Sequence, residues 1–159
     1  MTVNLVITGS DKTSSLFASR LEAVSGQNGV CVLLTRRYSE IKPVFSKKDI
    51  RSNGFIFIDQ SYSDEPNVIH TSLEDLTLLS ITLNQAVQSL PRNNRFLAFD
   101  SFSALTLYNS ARVVSKFAFF IVQQMREIGV DCLFVVGREG LDAGLLSTLK
   151  QCADKIEEK

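Results

Sequence analysis

Residues 3–24, VNLVITGSDKTSSLFASRLEAV, run from an apolar stretch (Val3 to Thr8) through a short polar loop into a segment where Leu16, Phe17, Leu21 and Val24 recur at helical spacing. Gly26 follows as a helix stop. A strand, a loop and a helix in that order form a βα unit, and the rest of the chain repeats the alternation. Further apolar runs lie at Val30 to Thr35, Phe55 to Asp59, Arg95 to Asp100 and Asp131 to Gly137, nearly continuous in apolar character as strands buried on both faces should be. The pattern predicts a three-layer αβα domain with a mainly parallel sheet of about five strands, occupying residues 1–159 as one unit.

Between the strands, Tyr38 to Lys48 is interrupted by Pro43 and predicts a short helix or turns. Ser72 stands as a helix N-cap with Asp75 at the reciprocal position, followed by a stripe of Leu73, Leu76, Leu79, Leu83, Val87 and Leu90 that ends at Pro91. Val113 to Ile128 carries the apolar period of a long helix closed by Gly129. Asp142 caps a last helix with Leu145, Leu146, Leu149 and Cys152, and Lys155 with Ile156 begins a further strand.

Seventeen basic and seventeen acidic side chains cancel, which argues against charge-driven binding of nucleic acid or of an anionic membrane. No apolar run has the length of a membrane span and the first residues lack a basic, then apolar, leader pattern, so a cytoplasmic location is expected. Cys31, Cys132 and Cys152 fit neither a CxxC redox pair nor a zinc knuckle and fall at positions of small core residues. His70, the single histidine, is expected in a solvated loop, with no second imidazole for the usual metal sites or a histidine-based triad.

In an open parallel sheet, ligands gather beyond the carboxyl ends of the strands. The residues delivered there are Gly9, Ser10, Lys12 and Thr13 after the first strand, Arg36 and Arg37 after the second, Asp59 after the third, and Asp100 with Ser101 after the fourth, with Arg138 and Glu139 after the fifth. Loops after strands are polar in any such protein, so a purely structural role competes at each position. Strand, lysine-bearing loop and helix N-terminus are the layout of a phosphate-binding loop. That chemistry needs glycine immediately before the lysine and a second glycine five residues earlier, so that backbone N–H groups can wrap the phosphates. Asp11 and Val6 stand there, one adding negative charge and the other still inside the strand. Asp100 ends its strand as a Walker B aspartate does, although loop bracing explains an aspartate there equally well.

The stretch from Phe96 to Ile156 resembles the second half of archaeal and bacterial KaiC-like domains of the RecA superfamily. It has a strand ending FDSFSALTLYN, a Phe-rich helix VVSKFAFFIVQQMREIG, the strand CLFVVG and a closing LLSTLKQCADKI, preceded by the helix SLEDLTLLSITLNQAV. The first sixty residues share only the order of elements. The resemblance implies that Asp100 occupies the magnesium-side position with Ser101 beside it. It also implies adjacent catalytic glutamates after the second strand, where this chain has Arg36 and Arg37. With neither the glycine loop nor those carboxylates, ATP and magnesium are not expected as cofactors, and Asp100 would be a ligand only if magnesium were bound.

The resemblance therefore implies a noncatalytic regulatory, signalling or interaction domain with a protein partner or further copies of itself. The alternative is a module holding a nucleotide or another phosphate anion on Lys12, Arg36 and Arg37 and the first helix's N-terminus. A residual ATPase using Asp100 and Glu139 ranks below these. So does a receiver-like domain phosphorylated at Asp59, which lacks an acidic pair after the first strand and a lysine after the fifth.

Overall fold

Side chains along the second strand alternate between two separate cores: Val30, Val32 and Leu34 enter one, Cys31 and Leu33 the other. That alternation fixes the layers in this structure, a computed structural model describing every residue from Met1 to Lys159. The strands are β1 (Val3–Thr8), β2 (Asn28–Val32), β3 (Phe55–Asp59), β4 (Val68–His70), β5 (Arg95–Phe99), β6 (Asp131–Gly137) and β7 (Lys155–Glu158). The helices are α1 (Thr13–Ala23), α2 (Tyr38–Lys47), α3 (Leu76–Ser89), α4 (Ala111–Ile128) and α5 (Ala143–Cys152), with a 3-10 helix at Phe102–Leu107. The seven strands lie in the order β4-β3-β2-β5-β6-β1-β7, and every pairing is parallel.

The larger core, formed by α3, α4, α5 and the 3-10 helix against one face of the sheet, centres on Phe99, Phe102 and Phe134. The smaller core holds α1 and α2 against the other face through Phe17, Leu21, Tyr38, Ile41 and Phe45. One close approach depends on a missing side chain. The Phe96 ring lies across Gly29, its pairing partner on β2, so closely that a Cβ there would meet ring carbons at 2.1–2.3 Å.

The five expected strands are present, and two more flank them. β4 is a three-residue edge strand too short to show a period, and it carries His70, so that residue lies on a strand and not in a loop. The His70 ring stacks on Tyr62 with centroids 3.8 Å apart. β7 begins at Lys155 as expected and pairs with β1.

β2 runs from Asn28 to Val32, whereas the apolar run predicts Val30 to Thr35. Its neighbour β5 ends at Phe99; past Val32 the chain bonds once more to β3, the Leu33 N–H to the Ile58 carbonyl at 2.8 Å, and from Leu34 onward it is held by the Asp100 side chain. α2 forms across Pro43 without interruption, because buried Tyr38, Ile41 and Phe45 anchor it on both sides of the ring. At α3 the cap is Asp75, whose carboxylate accepts the Leu78 N–H at 2.9 Å, and not Ser72; Leu73 precedes the helix and is fully buried. Asp142 caps α5 as predicted, accepting the Leu145 N–H at 2.9 Å. All three cysteines are free and buried, with burial pushing the Cys132 thiol up to about 12. No helix is long and apolar enough to cross a membrane.

Candidate functional site

The carboxyl ends of β1, β2, β3, β5 and β6 open on one edge of the sheet, and each delivers the residues that the sequence assigns to it. β1 leads into a tight turn in which the Lys12 N–H donates to the Gly9 carbonyl at 2.9 Å. The Asp11 carboxylate lies over Gly9, with Oδ1 2.8 Å from where a Cβ would stand. Ser10 turns toward the loop after β6. Its backbone N–H and its hydroxyl both donate to Glu139 Oε2 at 2.7 Å. Ser10 reaches that position because Gly137 has no side chain: a Cβ there would fall 2.4 Å from Ser10 Oγ. The two hydrogen bonds from Ser10 hold the Glu139 carboxyl below the usual glutamate range.

Thr13 opens α1 and is buried, its hydroxyl 3.4 Å from the Ser10 carbonyl. Lys12 is exposed and precedes the helix, whose N-terminus has no side-chain cap and no acidic residue in its first turn. Arg36 comes across from the loop after β2 and donates Nε–H to Ser14 Oγ at 2.8 Å, tying that loop to the start of α1. Arg37 is exposed, and its backbone N–H meets the Glu40 carboxylate of α2 at 3.3 Å.

The two candidate aspartates sit in separate places. Asp100 is 3% exposed and accepts the Leu34 N–H at 2.7 Å and the Thr35 hydroxyl at 3.0 Å, clasping the turn after β2. Desolvation raises its carboxyl to about 6, against the opposing pull of those hydrogen bonds. Ser101 is buried beside it, and its carbonyl accepts the Ala104 N–H at 3.0 Å to start the 3-10 helix. Asp59 is fully buried, accepting the Tyr38 N–H at 2.8 Å and both the N–H and the hydroxyl of Ser61 at 2.9 and 2.7 Å. It joins the end of β3 to the first residue of α2. No group of three or more His, Cys, Asp or Glu side chains is placed to hold a metal ion.

The edge thus brings Gly9, Ser10 and Glu139 into one contact, and Arg36 with Ser14 into another. Asp59 and Asp100 brace two different turns. Glu139 is the residue whose role sequence spacing does not disclose, since Ser10 lies 129 positions away. Its acidity after β6 was the only signal.

No protein-family model matches the chain, and no curated protein matches it by sequence. Solved structures do. The KaiC-like protein PH0186 from the hyperthermophilic archaeon Pyrococcus horikoshii OT3 superposes over 98% of this chain and 70% of its own, with a TM-score of 0.71 and 15% identity. The uncharacterized protein PH0321 from Pyrococcus horikoshii, determined in complex with an unknown peptide, covers 99% of this chain and 76% of its own, with a TM-score of 0.74 and 10% identity. The strand order, the layers and these superpositions give this chain the KaiC-like fold of the RecA class.

Proposed function

We propose that this chain is a noncatalytic KaiC-like domain whose work is regulatory and is done by binding protein, with the first loop closed to nucleotide phosphates. The observation that carries this reading is the Glu139 carboxylate on the Ser10 N–H and hydroxyl, at 2.7 Å each. An internal anion there uses donors that a phosphate would need, and the Asp11 carboxylate over Gly9 adds a second negative charge. Asp100, the residue at the magnesium-side position, is buried and engaged with the turn after β2. Asp100 and Glu139, the carboxylates a residual ATPase would use, are both engaged within the fold, which supports a noncatalytic role. That one protein of this fold was determined in complex with an unknown peptide supports polypeptide as a kind of partner that a domain of this fold accepts.

The test is calorimetric and enzymatic together. ATP, GTP, nucleoside monophosphates and inorganic phosphate, each with and without magnesium, are expected to leave the melting temperature unmoved and to be left unhydrolysed. A saturable shift with ATP and magnesium, or turnover lost in Asp100→Asn, would overturn the reading.

A second reading rests on the uncapped N-terminus of α1, where Lys12 is exposed and Arg36 reaches Ser14. A small phosphate anion held there would raise the melting temperature with monophosphates or phosphate alone, and Lys12→Ala would abolish the shift.

A further inference from the structure

The face of the molecule formed by α3 and α4 is unlike the rest of its surface. α3 has no charged residue from Leu76 to Ser89, in a chain that is 21% charged. Ile81 on α3 and Val113 and Phe120 on α4 are about half exposed, at 50%, 46% and 49%. They line a groove of about 470 Å³ between the two helices, together with Ser80, Asn84 and Gln124. Gln124 Oε1 is buried there without a hydrogen-bond partner. Depletion of charge with aliphatic and aromatic side chains at the centre is the composition of an interface core.

The charges at the margin select the occupant. Lys116 lines one end of the groove, and Glu127 stands at the opposite end of α4 beside Gln88, Arg92 and the buried Arg95, whose guanidinium is taken up by the Val87 and Ile128 carbonyls. Neither has an ion-pair partner within the chain. Eleven residues apart, they fall on one stripe of α4, about 16 Å from each other, with Phe120 and Gln124 between them. A two-fold axis through the middle of α4 exchanges the ends of that stripe. It therefore sets Lys116 of each copy toward Glu127 of the other and brings the Phe120 side chains together at the centre.

The face has the order of magnitude of area that a dimer needs, with side-chain relief making up the difference between projected and accessible surface. α3 and α4 are about 21 and 27 Å long and pack side by side at about 10 Å, a footprint on the order of 500 Å² in projection before side-chain relief is counted. A stable dimer buries about 800 Å² of accessible surface per partner.

We infer that this chain pairs with a second copy of itself through α3 and α4, in a two-fold, antiparallel arrangement that matches Lys116 with Glu127. The pairing does not depend on the state of the first loop, which lies at the sheet edge and not on this face.

Sedimentation velocity of the full chain tests it. The expected species has twice the 17.7 kDa mass of one chain. Phe120→Asp and Ile81→Asp are expected to give monomers with unchanged circular dichroism. Phe119→Asp, at an equally exposed aromatic outside the groove, is expected to leave the dimer intact. Lys116→Glu sets two carboxylates against each other at both ends and weakens the dimer several-fold, and Lys116→Glu with Glu127→Lys restores it. A wild type that stays monomeric at millimolar concentration overturns the pairing and leaves the face to a different partner. A dimer indifferent to both groove substitutions also overturns it, and a double reversal as weak as the single one overturns the antiparallel register.

Discussion

Glu139 closes its carboxylate on Ser10 from 129 positions away, taking both the backbone N–H and the hydroxyl at 2.7 Å. Two loops that leave adjacent parallel strands, β1 and β6, are joined by that contact. It decides whether the donors of the first loop face solvent or face the protein.

Removing the internal anion should open the loop. Glu139→Ala is expected to speed hydrogen exchange at the Ser10 amide and to create a phosphate-dependent rise in melting temperature that the wild type lacks. A variant as indifferent to phosphate as the wild type, with the Ser10 amide still protected, would show that Glu139 does not occupy these donors.

Asp100 should make stability fall as pH rises. Its folded carboxyl is raised to about 6 from the ordinary 3.8, so between those values the folded chain binds more protons than the unfolded one. The stabilisation is full below the unfolded value and is lost as pH climbs through the folded one. At about 1.4 kcal/mol per pH unit, the loss is on the order of 3 kcal/mol. Asp100→Asn keeps an acceptor for the Leu34 N–H but cannot ionise. Urea titrations in acid and at neutral pH are expected to show the variant gaining on the wild type by an amount of that order, and a difference independent of pH would refute the assignment.

Gly29 should not tolerate a side chain while Phe96 is present. Gly29→Ala forces a ring that also packs edge-on against Phe55, at 5.2 Å between centroids, out of its place. A loss of about 1–3 kcal/mol in chemical denaturation is expected. In a Phe96→Leu background the same substitution should cost much less, and equal costs in both backgrounds would locate the strain elsewhere.

Arg95 should hold the ends of α3 and α4 together. Its buried guanidinium donates to the Val87 carbonyl at 3.3 Å and the Ile128 carbonyl at 3.2 Å, placing a cation at two helix C-termini. Arg95→Met removes both bonds and is expected to cost about 2 kcal/mol. Arg95→Lys, which cannot span both carbonyls, should fall between, and a lysine variant as stable as the wild type would show that only one carbonyl matters.

Periodicity sufficed for the buried elements and failed at the margins. β1, β5 and β6 are long apolar runs whose burial on both faces leaves one interpretation, and Asp142 announces α5 because a cap is a local contact. β4 has three residues and one neighbour, so no period can form in it. The end of β2 depends on where β5 stops, which local sequence does not encode. At the candidate site the inventory was legible and the pairings were not. Asp100 and Asp59 stand at strand ends as read, yet their partners, Thr35 and Leu34 for one and Tyr38 with Ser61 for the other, depend on which strands are neighbours.

The sequence by itself determined the layered α/β plan, the absence of both glycines from the first loop, and the set of polar groups at the carboxyl edge. Each of these is a matter of residue type at short spacing, where backbone propensity and burial act locally. Only the tertiary structure decided that Glu139, and not solvent, meets Ser10, and that an uncharged α3 lies beside the exposed Val113 and Phe120 of α4. Both depend on the order β5-β6-β1 and on helices brought side by side over one face. Contacts across 129 positions are fixed by sheet pairing, which no local window contains.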